Sequence, residues 1–178
     1  MNSLFKNRMS LLMVLVAFGL PVLLAKLVLD NHWYHGGVTN KGGLLEQGIS
    51  YTSLGMSNPH PGRWQLIYMP PTSCTEACQD RLYILRQSHT ALGKEQDRVT
   101  PVVMQAESAA APLGHELPSA IPSAAMQSLL LSGDIIIVDP LGNLVMRYVM
   151  VTGMEAQLTQ GKDLLADLRK MLKLSRIG

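Results

Sequence analysis

The stretch that decides the fold is RWQLIYMPPTSCTEACQDRL, residues 63–82. It begins with Arg63–Met69, a short run rich in strand-forming residues that ends at a Pro-Pro pair. Thr72 and Ser73 are suitable helix caps, and apolar residues then recur with helical spacing up to Gly93, a C-cap residue. The segment predicts a strand that turns directly into a helix, with two cysteines at the junction.

Strands and helices continue to alternate to the end of the chain, with a polar Ala-, Pro- and Ser-rich loop at 106–122. The predicted elements are a strand at Val99–Met104, a helix at Ser123–Leu131, strands at Asp134–Val138 and Leu144–Val151, and a helix at Gly161–Leu174. A strand–helix–strand start requires a parallel pair, and the late hairpin adds antiparallel partners. The sequence therefore predicts an α/β fold, a mixed sheet flanked by helices on both faces.

Composition limits the class of protein. The 178 residues leave room for one ordinary domain and an anchor. Only 16% of the residues are charged, below the roughly 25% typical of soluble domains. The formal net charge of +2, without a basic run, is too balanced to argue for nucleic acid, and we expect no nucleic acid partner. Neither a Gly-x-Ser-x-Gly elbow, a His-Glu-x-x-His motif nor a phosphate-binding glycine loop is present, which argues against a hydrolase or a nucleotide-binding enzyme.

The low charge is explained by an apolar segment near the N-terminus. Residues 9–29 carry one charge, Lys26, and are long enough to span a bilayer. Lys6 and Arg8 precede them, so the positive-inside rule predicts a cytoplasmic N-terminus, residues 1–8. A cleaved signal peptide is the alternative, although its apolar region would be shorter, about 7–15 residues. Either way residues 30–62 and a domain at residues 63–178 are exported. We expect residues 30–62 to be a tether, with Trp33 and Tyr34 near the membrane, that leads into an irregular segment over the domain.

The two cysteines are the candidate site. Cys74 and Cys78 are four residues apart at the start of the predicted helix, so they are close enough for a disulfide. A helix N-terminus favours a thiolate, which is both the nucleophile of disulfide exchange and a ligand for soft metals. Cys74, nearer the helix start, is predicted to be the attacking thiol and Cys78 the resolving one. A static surface disulfide is the alternative, but so short a loop contributes little to stability.

The ordered set of motifs resembles the Sco/SenC family. The matching features are the N-terminal anchor, Cys74-x-x-x-Cys78 after a strand, and the late hairpin Ile135–Gly142, with the sequence IIIVDPLG. The resemblance implies a membrane-anchored thioredoxin-like domain that assists assembly of the copper centre of cytochrome c oxidase. It implies copper(I) as a possible metal on Cys74 and Cys78. The implied partners are a cytochrome c oxidase subunit or another copper-site assembly factor, and the implied location is the inner membrane with the domain in the periplasm.

Two residues depart from the family pattern. Gln79 follows the second cysteine, where family members usually carry proline. Residues 130–134, where the family has its third copper ligand, contain no histidine. Two thiolates alone suit copper(I), whereas copper(II) would lack a ligand. Thiol–disulfide exchange, copper(I) transfer and a non-catalytic scaffold with a structural disulfide therefore remain alternatives, as does a general thiol reductase.

Other soft or basic side chains could supply a further ligand. His89 is excluded because it lies fifteen residues beyond Cys74, over about 20 Å along the helix. Met69 lies five residues before Cys74 and could be a weak thioether ligand. Glu76 lies between the cysteines, and the helix dipole alone explains an acidic residue in the first turn. The remaining histidines are His32, His35, His60 and His115, of which His115 lies in the loop that could fold over the cysteines.

The predicted orientation can be tested with reporter fusions. We expect alkaline phosphatase fused after Gly178 to be active, because this enzyme folds only after export, and a variant lacking residues 9–29 to be inactive. N-terminal sequencing of the membrane-bound fusion should begin at Met1. A fluorescent cytoplasmic reporter at the same C-terminal position would contradict the orientation.

Overall fold

The computed structural model describes residues 3–31, 39–71, 73–105, 117–130 and 133–177. It divides the chain into two units, Met1–Thr39 and Asn40–Gly178. The first unit contains helix α1, Ser3–Asp30, and the second contains the sheet and the other helices. Each unit is held by its own internal contacts.

Helix α1 is long and apolar enough to cross a membrane. The apolar part, Arg8–Val28, has 21 residues and a mean hydropathy of 2.5. At about 1.5 Å per residue it is about 31 Å long, close to the thickness of the bilayer core. A signal sequence near the N-terminus would have the same properties, so both predicted alternatives remain. The predicted interfacial aromatic residues Trp33 and Tyr34 lie outside the described residues.

The second unit is built on a six-stranded mixed sheet in the order β1-β6-β5-β2-β3-β4. The strands are β1 Gly43–Leu44, β2 Trp64–Tyr68, β3 Val99–Met104, β4 Ser119–Ala120, β5 Ile135–Val138 and β6 Leu144–Tyr148. The helices are α2 Glu76–Thr90, α3 Ala124–Leu129 and α4 Met154–Leu174, with a 3₁₀ turn at Gly93–Arg98. Strands β2 and β3 are parallel, while β5 is antiparallel to both β2 and β6.

The predicted fold class is confirmed, and the differences concern element ends and two short strands, β1 and β4, which lie in segments predicted to be irregular. Helix α4 begins at Met154, well before the predicted Gly161. Residues 154–160 carry no apolar period, but the side chain of Gln157 is fully buried, so tertiary contacts extend the helix. Pro101 lies inside β3 although proline cannot donate to the sheet.

Two hydrophobic cores lie on opposite faces of the sheet. Alternate residues of β2 contribute to each, so that Leu66 packs with α2 and α4, and Ile67 packs with α3. All five residues of β2 are buried. The sheet is therefore covered by helices on both faces, as predicted.

Residues 40–62 belong to the compact unit, and the predicted irregular segment is an integral part of the domain. Tyr51 is 1% exposed, and its hydroxyl donates to the side-chain oxygen of Gln65 on β2 at 2.8 Å. Strand β1 pairs with β6. The predicted boundary at Arg63 is therefore too late, because the isolated apolar residues of this stretch have no period that reveals their burial.

Asp167 on α4 attaches the start of this unit to the rest of the domain. Its Oδ2 atom accepts hydrogen bonds from the backbone N–H groups of Lys41 and Gly42, at 2.7 and 3.0 Å. It also accepts from the hydroxyl of Tyr148 at 2.7 Å, and the side chain is 4% exposed. Burial and this carboxylate raise the pKa of Tyr148, which keeps the hydroxyl a donor. One carboxylate oxygen therefore joins three separate segments.

Replacing Asp167 with alanine should destabilise the domain by about 3 kcal/mol, because three donors, two of them buried, lose their acceptor. Asp167→Asn keeps an acceptor oxygen and should cost about 1 kcal/mol. Urea unfolding of residues 40–178, followed by the fluorescence of Trp64, measures both changes. Equal effects of the two substitutions would show that the hydrogen bonds are not the cause.

Candidate functional site

The candidate site lies where three strands end at one edge of the sheet. Tyr68 at the end of β2 pairs with Ile135 at the start of β5, and Ile135 pairs with Tyr148 at the end of β6. Because β5 runs opposite to both neighbours, the segments at 69–71, 133–134 and 149–153 all meet the sheet at this edge. The backbone N–H of Gly133 donates to the carbonyl of Met69 at 3.2 Å, which joins two of them directly.

Cys74 and Cys78 form a disulfide in the first of these segments, with their Cα atoms 5.2 Å apart. Helix α2 begins at Glu76, with Thr75 as its N-cap. Both cysteines were predicted in the first helical turn, but only Cys78 is there. The helical hydrogen bonds begin at the carbonyl of Thr75, which accepts from the N–H groups of Cys78 and Gln79, so Cys74 precedes the helix. The disulfide thus links the turn to the first turn of α2.

The two sulfur-bearing residues differ in exposure. Cys78 is 2% exposed and is part of the core under α2, whereas Cys74 is half-buried and packs against that core from outside. Cys74 is therefore the residue that a partner can reach. This is the asymmetry that an attacking and a resolving thiol require.

Arg81 is the principal residue near the disulfide that the sequence analysis missed. It lies three residues after Cys78 on α2 and is fully buried. Its Nε atom donates to the carbonyl of Gly133 at 2.9 Å, and its Nη2 atom donates to the carbonyl of Tyr148 at 2.9 Å. Nη1 donates to the side-chain oxygen of Gln160 on α4. A sequence signal existed, since Arg81 interrupts the apolar face of an amphipathic helix.

Two further polar side chains support the same edge. Asp134, 2% exposed, accepts from the backbone N–H of Met150 at 3.0 Å and pairs with Arg147, with 3.4 Å between oxygen and nitrogen. Gln157 donates from Nε2 to the carbonyl of Ala77, between the cysteines, at 3.3 Å. The segments around the disulfide are therefore held by buried polar contacts in addition to the sheet.

Burial changes the ionisation of the groups beside the disulfide. It lowers the pKa of Arg81 to about 10, while the charges of Tyr68 and Asp134 act in the opposite direction. It raises the pKa of Tyr68 to about 12, against the effect of Arg81. At neutral pH Arg81 is therefore a cation and Tyr68 a neutral phenol.

The other candidate ligands are not brought to the cysteines in the described structure. The Nε2 atom of His89, at the far end of α2, lies 3.0 Å from the carbonyl oxygen of Val99. Met69 packs on the core of the opposite face, and His60 precedes the other end of β2. Glu76 is exposed in the first turn of α2, as the dipole interpretation predicts. His32, His35 and His115 lie outside the described residues, and no group of three or more metal-binding side chains occurs among those described.

The fold and the site together define a thioredoxin-like protein with a Cys-x-x-x-Cys disulfide at the strand-to-helix junction. Residues 64–175 match the family model of the transmembrane-like, thioredoxin-like C-terminal domain, and the chain belongs to this family. With helix α1, this family indicates a single-pass membrane protein. No curated protein matches the chain in sequence.

Solved structures with similar backbones include copper-bound and thiol-active proteins. ScoI of Bradyrhizobium japonicum with copper bound has a TM-score of 0.41 and 15% identity, covering 68% of this chain and 97% of that chain. ScoI of Arabidopsis thaliana with copper bound has a TM-score of 0.44 and 14% identity, covering 72% and 98%. The thioredoxin domain of a Bacteroides vulgatus thiol-disulfide oxidoreductase has a TM-score of 0.41 and 15% identity, covering 63% and 81%. Similarities this distant carry no argument about activity.

The difference in exposure predicts a difference in reactivity. After reduction, iodoacetamide should alkylate Cys74 at least about tenfold faster than Cys78, because only Cys74 is accessible to solvent. Tandem mass spectrometry of the peptide that contains both residues measures the ratio, and the unfolded chain, where both should react alike, is the control. Faster labelling of Cys78 would contradict the assignment of Cys74 as the attacking thiol.

Proposed function

We propose that this protein is a membrane-anchored, exported thioredoxin-like protein that exchanges disulfides with a partner during assembly of the copper centre of cytochrome c oxidase. The observation that carries the proposal is the disulfide between half-buried Cys74 and buried Cys78 at the start of α2. One sulfur is accessible for attack, and the other is positioned to release the product.

The exchange takes place in two balanced steps. In the reduced protein the Cys74 thiolate attacks one sulfur of a partner disulfide, whose S–S bond breaks and whose second sulfur leaves as a thiolate. The Cys78 thiolate then attacks the Cys74 sulfur in the mixed disulfide, which forms the Cys74–Cys78 bond and releases the partner's other thiolate. The partner gains two electrons and takes up two protons, from Cys78 and from solvent. An exported thiol reductant must then restore the dithiol.

Copper(I) is the second candidate substrate of the same pair. Reduced cysteines with Cα atoms 5.2 Å apart can present two thiolates to one soft cation. The described residues offer no third His, Cys, Asp or Glu at this position, so a linear two-thiolate complex is the form that we propose. Such a complex suits brief transfer of the cation to a partner.

The membrane anchor supports the proposed location. Lys6 and Arg8 precede the apolar segment, which favours a cytoplasmic N-terminus and a periplasmic domain at the inner membrane. The proposed partner is a cytochrome c oxidase subunit or another copper-site assembly factor. A domain held near the membrane would be close to such a partner.

A non-catalytic scaffold is the alternative function. Two departures from the Sco/SenC pattern favour it, namely Gln79 in place of the usual proline and the absence of histidine from residues 130–134. In that case the disulfide would be structural and would resist physiological reductants, with a reduction potential below about −300 mV.

Mixed-disulfide trapping distinguishes exchange from the scaffold. In the Cys78→Ser variant, Cys74 can attack but the complex cannot resolve, so a partner should remain covalently attached and be released by reductant. Cys74→Ser is the matched control and should trap at least about tenfold less, because the buried Cys78 cannot be reached. The double serine variant should lower oxidase activity and copper content in the source cell.

The result that overturns the proposal is full oxidase activity and copper content in the double serine variant, together with equal trapping by the two single variants. Titration of the reduced chain with copper(I) against a competing chelator then decides the substrate. Binding of one equivalent that is lost in the double serine variant supports copper transfer. Binding equal to that variant leaves disulfide exchange.

A further inference from the structure

Arg81 differs from most buried arginines because none of its hydrogen-bond acceptors is charged. Its guanidinium donates to three backbone carbonyls, of Gly133, Tyr148 and Val149, and to the amide oxygen of Gln160. All four acceptors are neutral, and none of the described carboxylates accepts a hydrogen bond from it. Buried charges in proteins are normally paired, because an unpaired charge loses its hydration without compensation. This cation therefore requires an explanation beyond the packing of α2.

The nearest acidic group is directed elsewhere. The carboxylate of Asp134 pairs with Arg147 and accepts from the backbone of Met150. Its negative charge partly offsets the positive charge of Arg81, although the two side chains form no hydrogen bond. Tyr68, the other group that interacts with Arg81, is a neutral phenol at pH 7, since burial raises its pKa to about 12. Arg81 is therefore a buried cation whose hydrogen-bond partners carry no negative charge.

Arg81 lies within one helical turn of the disulfide-bonded Cys78. Side chains three residues apart on a helix have Cβ atoms about 5–6 Å apart, and this spacing relates Cys78 to Arg81. Both residues are buried, at 2% and 0% exposure, so solvent does not screen the interaction between them. The sulfur of Cys74 is bonded to that of Cys78, so reduction would create a thiolate, at either sulfur, in a pair that lies about one helical turn from a buried cation.

We propose that Arg81 is a positioning residue of the Cys74–Cys78 centre: it holds the segments at 133 and 148–149 beside the disulfide, and its charge stabilises the reduced, thiolate form. The inference rests on the proposed exchange function and deepens it. Reduction adds two electrons to the S–S bond and one or two protons, depending on whether one sulfur remains a thiolate. A cation that favours the thiolate makes the disulfide easier to reduce and the dithiol more reactive.

The experiment measures the thiolate directly. The full chain in detergent micelles, chemically reduced, is alkylated with iodoacetamide between pH 4 and pH 9, and the midpoint of the rate profile reports the attacking thiol. In parallel the disulfide is equilibrated with a glutathione redox buffer. Cys74 and Cys78 are the only cysteines in the chain, so both readouts report this site alone.

In Arg81→Met the alkylation midpoint should rise by about one unit, and the glutathione equilibrium should shift about tenfold towards the disulfide, which corresponds to about 30 mV for two electrons. Arg86→Met is the matched control. It removes the same charge from the same helix, but eight residues from Cys78, or about 12 Å, and should change neither readout by more than about twofold. Equal shifts in the two variants would overturn the inference.

Asp134→Asn provides a test of opposite sign that does not depend on the folding of Arg81→Met. Asparagine can still accept from Met150, but the charge that moderates Arg81 is lost, so the midpoint should fall. A midpoint that rises or stays unchanged contradicts the proposal.

Other groups near the disulfide are common to the Arg81 and Arg86 variants, and their contributions therefore cancel. Burial raises the pKa of Tyr68 and of Tyr148, so both are neutral throughout the pH range. The charged side chains on the packed elements lie on α2 (Glu76, Asp80 and Arg86), beside or on β5 and β6 (Asp134 and Arg147), and on α4 as far as its middle turns (Glu155, Lys162, Asp163 and Asp167).

The two readouts also distinguish this inference from the function on which it rests. If the wild-type disulfide does not equilibrate with glutathione, thiol exchange is wrong, whatever Arg81 does. If it equilibrates and Arg81→Met leaves the alkylation midpoint unchanged, only the role of Arg81 is wrong.

Discussion

Strand β2 is the element on which the rest of the domain depends. It pairs with β3 on one side and β5 on the other, and all five of its residues are buried. Leu66 and Ile67 enter different cores, so the strand joins both layers of the fold. Because two neighbouring strands and two cores hold β2, the position of its C-terminal end is fixed, and the disulfide lies in the segment that follows that end.

The fixed end of β2 explains why polar groups can be buried near the disulfide. Register places Tyr68, Ile135 and Tyr148 in one row, so the segments that follow or precede them must meet. Their backbone carbonyls have no further strand to pair with, and buried carbonyls require donors. Arg81 supplies several donors at once, a task that suits the rigid fork of a guanidinium. The same side chain thereby brings a positive charge close to the sulfur atoms.

The accessible sulfur and the buried groups of the site lie on different segments of the chain. Cys74 lies in the turn before α2, while Cys78 and Arg81 lie on the buried face of that helix. The accessible sulfur can meet a partner while the supporting groups stay in the core. In the same way, Asp167 fixes the start of the compact unit through its bonds to Lys41 and Gly42.

The sequence by itself determined the apolar N-terminal segment, the mixed sheet with helices on both faces, and the position of Cys74 and Cys78 at a strand-to-helix junction. These features follow from local patterns, namely hydrophobic period, turn residues and spacing, which one stretch of chain displays. Tertiary structure alone decided that β1 pairs with β6 and Tyr51 bonds to Gln65, that Gln157 extends α4, and that Arg81 donates to neutral carbonyls. Those contacts join residues that are distant in the chain, up to 126 positions for Lys41 and Asp167, and no local period encodes a partner at that separation.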